Sequence, residues 1–261
     1  MPYLSLRNLN TLTGVCLKPL GCIRNYSQSS SQEVVKIPKL LTPIGLAQPP
    51  LDSSYAVNNK QSKLTAGQRQ DKILREMRGS IVQDISEVQE KKGKLFYAPP
   101  RVFKKESSLW MYNFEGKSLS KEKVDLYKNC LGKPFILLLF GNSYGENQCK
   151  QWITGIDKVT DFPVFFFNVQ SNILKYFLTR MFSGSIKRSL PSKESWNNYV
   201  IALNRRLRYP EIQWNNRLVG NVFLLDESCK IRWAATGFPT EKELTEFHAA
   251  CEFLKSQSNK E

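Results

Sequence analysis

Residues 218–237, LVGNVFLLDESCKIRWAATG, leave few choices of fold. Val222, Phe223, Leu224 and Leu225 are apolar on both faces, which predicts a strand buried inside a sheet. Asp226, Glu227 and Ser228 make a polar turn. The segment after it alternates, with Ile231, Trp233 and Ala235 on one side and Lys230, Arg232 and Ala234 on the other, the pattern of a half-exposed strand near an edge. Gly237 and Pro239 end that strand. Thr240 and Glu243 then stand at capping-box spacing, and Leu244, Phe247, Cys251 and Leu254 recur at helical spacing. The chain therefore closes as strand, turn, strand, helix.

The same periodicities upstream predict strands at 109–114, 135–140 and 162–169, all strongly apolar. Helices are predicted through Val124 and Leu131, through Trp152 and Val159, through Ile173, Phe177 and Met181, and through Trp196, Tyr199, Val200, Leu203 and Leu207. Residues 183–188 read as a loop between the last two. Alternating strands and helices imply parallel pairs with right-handed crossovers, to which the terminal hairpin adds an antiparallel pair. The expected fold class is α/β, a thioredoxin-like mixed sheet covered by helices over residues 107–256, with 257–261 as a disordered tail.

Residues 33–106 read differently. Pro38, Pro43, Pro49 and Pro50 rule out regular helix in an extended arm whose Leu40, Leu41 and Ile44 are too apolar for a mere linker, so the arm is expected to pack on its own domain or on a partner. From Thr65 to about Glu90, Ile73, Met77, Ile81, Ile85 and Val88 share one face of an amphipathic helix, opposite Arg69, Lys72, Arg75 and Arg78. A face of that kind either lies on anionic lipid or is the solvated side of a helix packed on the domain. Lys91-Lys92-Gly93-Lys94 breaks the helix, and Pro99-Pro100 with Arg101, Lys104 and Lys105 forms a basic connector.

The formal net charge of +15 is spread along the chain and suits acidic lipid, RNA or mitochondrial import equally. Residues 1–32 contain Arg7, Lys18 and Arg24, no Asp or Glu, and much Ser, Thr, Asn and Leu. That is the composition of a mitochondrial transit peptide, not of a secretory signal. No apolar run approaches the ~18–20 residues needed to cross a bilayer.

Thioredoxin-like enzymes keep their reactive thiol where a central strand gives way to its helix, because a helix N-terminus stabilises a thiolate. Here that position reads Gly141-Asn142-Ser143-Tyr144-Gly145-Glu146-Asn147-Gln148, without cysteine. Cys149 follows with no second cysteine to resolve it, and Arg217-Leu218-Val219 stands where such folds usually carry a proline. His248 is the sole histidine, no C-x-x-C pair or metal-ligand spacing occurs, and no phosphate-binding glycine loop is present. No cofactor or metal is expected. Cys251 reads as a small buried hydrophobe, whereas Cys229 beside Lys230 would be reactive if exposed. The residues alone leave three readings: an assembly or binding protein, a redox or peroxide-handling enzyme using Cys149 or Cys229, and an RNA- or ribosome-associated protein. Phe96, Tyr97 and Phe103 among the basic residues of the connector are the only RNA-like feature, and without an RNP, KH or zinc-knuckle pattern a hinge is expected there.

The run from Val219 to Asp226, the segment from Cys229 to Ala234 and Gly237 beyond it resemble the ending of a known family. So do Thr42-Pro43-Ile44-Gly45 before Pro49-Pro50, the charged helix from Arg69 to Val88, and Pro99-Pro100. The family is that of mitochondrial assembly factors for the membrane sector of F-type ATP synthase, which chaperone subunit 6 (subunit a). The resemblance spans most of residues 37–255. It implies a non-enzymatic protein, peripheral on the matrix side of the mitochondrial inner membrane, that binds new subunit 6 and helps join it to the subunit 9 ring, with no specific nucleic acid as partner. For the contact with a partner, Arg232 and Trp233, with Lys230 beside them, are the first candidates, because Arg and Trp are favoured hot-spot types and a near-edge strand can present them.

Overall fold

The computed structural model of the chain describes residues 36–50 and 81–258, apart from 191, 194 and 207. The transit peptide expected at 1–32, the expected start of the amphipathic helix with its basic residues 69–78, and the last three residues lie outside that description.

In chain order the elements are α1 (helical through 81–90), β1 (Glu115–Ser118), β2 (Lys123–Asp125), α2 (Leu126–Cys130), β3 (Phe135–Phe140), α3 (Ser143–Trp152), β4 (Val164–Gln170), α4 (Ile173–Met181), α5 (Ser183–Ser189), α6 (Ser195–Asn198), β5 (Tyr199–Leu203), β6 (Asn221–Leu225), β7 (Ile231–Thr236) and α7 (Glu241–Ser258). The strands form one seven-stranded sheet in the order β2-β1-β5-β4-β3-β6-β7. β3, β4 and β5 are parallel, while β6 runs antiparallel to β3 and β7 antiparallel to β6. The unit β3-α3-β4 followed by β6-β7-α7 is the thioredoxin-like core, with β6 set beside β3 on the side away from β4.

β3 reads Phe-Ile-Leu-Leu-Leu-Phe and β6 Asn-Val-Phe-Leu-Leu, and both are buried along their whole length, as a strand covered on two sides must be. Ile136, Leu138, Phe140, Val222 and Leu224 face α3 and α7 through Cys149, Trp152, Phe247, Cys251 and Leu254. On the opposite face Phe135, Leu137, Leu139, Phe167 and Phe223 meet Leu40, Ile44, Phe96, Phe103, Phe114, Tyr209 and Trp214. The arm thus shares the core of the sheet, and helices do not fill that face alone. Leu40 N–H donates to Tyr97 O at 2.9 Å, Leu46 and Trp110 exchange backbone hydrogen bonds at 2.8 and 3.0 Å, and Gly45 N–H reaches Glu211 O at 2.7 Å.

Several expectations need correction. The helix expected through Trp196 to Leu207 is the one-turn α6 followed by β5, whose Tyr199-Val200-Ile201-Ala202-Leu203 fills the slot beside β4. A five-residue apolar run satisfies helical and strand periodicity equally, and the open edge of β4 decides it. Residues 109–114 are irregular and make only isolated bridges through Trp110. The strands on that side are the short polar hairpin β1–β2, and Val124 belongs to β2 rather than to a helix. Residues 183–189 are helical rather than a loop. α3 ends at Trp152, and a single 3-10 turn at Ile156–Lys158 replaces the expected continuation. α7 runs to Ser258, two residues past the boundary expected at 256.

β7 is the edge strand, yet it is buried throughout. The connector 94–103 lies along it: Thr236 Oγ1 accepts from Leu95 and Phe96 N–H at 3.0 and 3.1 Å, Trp233 Nε1 donates to Pro99 O at 3.0 Å, and Phe103 N–H donates to Arg232 O at 2.7 Å. The connector is therefore a strap over the edge, one of the ways in which proteins blunt an open strand.

Candidate functional site

In this fold the place to look for chemistry is the carboxyl end of β3, where α3 begins. Asn142 caps α3, its Oδ1 accepting from Gly145 N–H at 2.9 Å while its Nδ2 donates to Arg217 O at 2.8 Å. Gly145 and Gly220 bring the first turn of α3 against the chain entering β6. A Cβ on Gly220 would collide with the carbonyl oxygen of Gly145 and lie 2.7 Å from Cys149 Sγ. Gln148 closes what remains, donating to Gly93 O at 3.1 Å and accepting from Gly220 N–H at 2.8 Å. Tyr144 stacks edge-on against Phe238 at 5.7 Å.

The position that is an open lip in a redox protein is thus closed by backbone contact and by the turn at Gly93. Cys149 is fully buried beneath it, and that burial, aided by the nearby Glu146 charge, pushes its thiol far above the ordinary range. Burial, with Asp226 next, pushes the Cys229 thiol up to about 12, and burial likewise pushes Cys251 up to about 12. Cys229 was expected to be reactive if exposed; it is buried on the sheet face away from α3, and the condition is not met. Among the described residues no three His, Cys, Asp or Glu side chains come together as a metal site, and His248 is half-buried on α7.

A buried ion pair holds the strap down at the same end. Lys94 Nζ lies 2.6 Å from Glu243 Oε2 and 2.8 Å from Phe238 O, and the same Glu243 accepts from Ala98 N–H at 2.9 Å and from Thr240 N–H at 3.1 Å. Thr240 Oγ1 in turn accepts from Glu243 N–H at 3.3 Å, so the capping box read from the sequence is present and has been joined by a lysine. Burial holds the Lys94 ammonium below its usual range against the pull of Glu243.

α1 is fastened on the other side. Arg208 pairs with Asp84 at 3.1 Å, Asn216 Nδ2 donates to Asp84 O and Glu87 Oε2 at 2.9 and 3.0 Å, and Arg217 N–H reaches Asp84 Oδ2 at 3.4 Å. Burial raises the Asp84 carboxyl, and Arg208 opposes it. Arg217 stacks on Trp214 at 4.5 Å and donates to the carbonyls of Arg206 and Val169. A crevice of about 100 Å³ remains between Asp84, Gln170, Asn172, Lys175 and Arg217, too small for a cofactor.

The three partner-binding candidates do not come together at the surface. Trp233 is wholly in the core, edge-on to Trp152 at 5.6 Å. Arg232 is 3 % exposed, donating to Phe103 O at 2.8 Å and facing Asp226 at 3.5 Å, where it forms the floor of a cleft of about 450 Å³ beside Lys104, Lys105 and Phe253. Lys230 alone is half-exposed, its ammonium 4.5 Å above the Trp110 ring. The alternation of β7 suggested an open face because the strap that covers it lies about 130 residues earlier in the chain and leaves no mark on the local pattern. Six exposed apolar side chains follow one another elsewhere, Ile173, Leu174, Phe177, Leu178, Met181 and Phe182 on and after α4.

The family model described as ATP10 protein matches residues 23–254 of this chain. The chain belongs to the ATP10 family. "Probable mitochondrial ATPase complex subunit atp10" of Schizosaccharomyces pombe is 43 % identical, over 99 % of this chain and 99 % of that protein. "Mitochondrial ATPase complex subunit ATP10" of Saccharomyces cerevisiae is 27 % identical over 82 % of this chain and 87 % of its own length. This agrees with the resemblance drawn from residues 219–237, that of an ATP synthase assembly-factor family. Among solved structures a DsbF homologue from Corynebacterium diphtheriae covers 57 % of the chain at 11 % identity with a TM-score of 0.40. The thioredoxin-like assignment of this ATP10-family chain rests on its strand order. Gly145 and Gln148, read in the sequence only for the cysteine missing among them, and Gly220 are the residues that close the redox position. Their only sequence signal is a glycine at both places where the backbones touch.

Proposed function

We propose that this ATP10-family chain is a non-enzymatic assembly chaperone of mitochondrial ATP synthase. In this reading it binds newly made subunit 6 and aids its joining to the subunit 9 ring, working as a peripheral protein on the matrix side of the inner membrane. Family membership along nearly the whole chain supports the assembly role. The observation that carries the non-enzymatic part is the closed end of β3: Gly145 against Gly220, Gln148 bridging Gly93 and Gly220, and Cys149 buried beneath them. Thiol exchange needs an accessible thiolate, and holding an unassembled apolar subunit until its partner arrives needs surface only.

The test is a pulse-label of mitochondrial translation products in isolated organelles, followed by crosslinking and recovery through a tag on this protein. New subunit 6 is expected as the main labelled partner, with recovery fading as ATP synthase assembles. Recovery spread evenly over all labelled products, or recovery that follows ribosomes and vanishes with nuclease, overturns the reading.

A further inference from the structure

The apolar face of α4 is turned away from the domain. At about 100° per residue, Ile173, Leu174, Phe177, Leu178, Met181 and Phe182 share one arc of the helix, and their exposure runs from 42 % at Leu178 to 68 % at Met181. Tyr176 packs on the sheet from the other side, and no residue of α4 is buried. An ordinary surface helix has its apolar stripe inward; this one is reversed, and the six residues form a contiguous apolar ridge that an isolated soluble domain has no reason to expose.

The surroundings of the ridge identify what covers it. Residues 171–190, which hold α4 and α5, carry four Lys or Arg and no Asp or Glu. They are Lys175, Arg180 above the Tyr176 ring at 5.8 Å, Lys187 above the Trp196 ring at 4.5 Å, and Arg188. The crevices beside it are walled by Asn172, Lys175 and Asp84 on one side and by Ser185, Ile186, Ser189 and Glu146 on the other, the two acids being paired with Arg208 and Lys150, and none of the six apolar side chains lines either crevice. A partner helix seats in a groove, whereas an exposed apolar helix face with four cations on its own and the next helix fits a fluid anionic leaflet, apolar tips below the headgroups and long basic side chains reaching up to the phosphates.

We infer that α4 seats this chain on an anionic lipid surface, with Phe177, Met181 and Phe182 entering the acyl boundary and Lys175, Arg180, Lys187 and Arg188 at the headgroups. This rests on the peripheral placement proposed above and names the surface that makes it. Ile81, which shares a crevice wall with Asn172 and Lys175 and is 45 % exposed, places the end of α1 beside the same surface.

The experiment is flotation of the full chain with phosphatidylcholine vesicles with and without cardiolipin. The protein is expected to float with the cardiolipin vesicles. The triple variant Phe177→Ser, Met181→Ser, Phe182→Ser is expected to bind about 100-fold more weakly with an unchanged melting temperature, because none of the three is in the core. Lys175→Glu with Arg188→Glu is expected to abolish the preference for cardiolipin. Failure of the wild type to float, or wild-type binding by the triple variant, overturns the inference. A photoreactive benzoylphenylalanine at position 177 in isolated mitochondria is expected to label lipid; labelling of one membrane protein, with flotation unaffected by the triple variant, makes the ridge a protein-docking face instead. The vesicles contain no subunit 6, so failed flotation leaves the assembly reading standing, and normal flotation with lost recovery of subunit 6 sinks that reading alone.

Discussion

Lys94→Met removes one cation from the closed end of β3 and isolates a buried carboxylate. Lys94 loses its 2.6 Å contact with Glu243, its 2.8 Å bond to Phe238 O, and its place 5.3 Å from both the Tyr97 and Trp152 rings. Glu243 keeps Ala98 N–H, Thr240 N–H and the Thr240 hydroxyl, so the loss falls at the lower end of the range for breaking a buried pair, about 3 kcal/mol. For a domain of this size that lowers Tm by about 6–12 °C. Glu243→Gln alone strands the lysine and costs about as much. Because the two side chains touch, the double variant is expected to lose about 4 kcal/mol rather than the sum, a coupling of about 2 kcal/mol. Urea unfolding followed by tryptophan fluorescence gives all four corners of the cycle. A second readout is local: with the strap loosened at Gly93, alkylation of Cys149 measured by peptide mass spectrometry is expected to quicken before global unfolding. A loss under 0.5 kcal/mol for Lys94→Met, or an additive double variant, refutes the claim that this pair fastens the strap.

Gly220→Ala places a methyl against the backbone at Gly145 O and against the buried Cys149 thiol, so a loss of about 3 kcal/mol or more is expected in thermal melts; a near-neutral effect shows that the helix start can slide. Burial holds the Asp226 carboxyl above its ordinary value, against the N–H groups of Lys230 and Ser228. An acid whose folded pKa is raised binds its proton more tightly when folded. Stability measured relative to Asp226→Asn is therefore expected to rise as pH falls from neutral through the raised value toward that of the unfolded chain, and a flat difference between the two urea midpoints across that window refutes it. Replacing Cys130, Cys149, Cys229 and Cys251 together, by Ala or Ser as packing allows, is expected to preserve ATP synthase assembly and growth on a respiratory carbon source; loss of both in a variant that still folds would return the redox reading.

How far the sequence could be read depended on where the deciding contact lay. The β6–β7 hairpin and the start of α7 were legible because their signals are local: four apolar residues before a polar turn, and a Thr and Glu three apart. β5 was not, since Tyr199, Val200 and Leu203 fit a helix as well as a strand, and only the vacant edge of β4 makes them a strand. The β1–β2 hairpin, Glu-Gly-Lys-Ser and Lys-Val-Asp, carries almost no apolar residues to announce it. Arg232 and Trp233 were misplaced because the strap that buries them comes from residues 99–103. For α4 the period was legible and its direction was not, since a pattern of apolar residues states which side chains share a face and leaves open what that face meets.

The arm has a consequence for the order in which the chain settles. Its residues 39–46 find their hydrogen-bond partners at Tyr97, Trp110 and Glu211, and their apolar side chains belong to a core cluster that reaches strands as late as β7. A polypeptide threaded into a compartment N-terminus first delivers this segment long before those partners arrive. Leu40 and Leu46 therefore have no backbone partner until Tyr97 and Trp110 follow, and Gly45 none until Glu211 does. The first described residues are thus fixed only by segments that follow them in the chain.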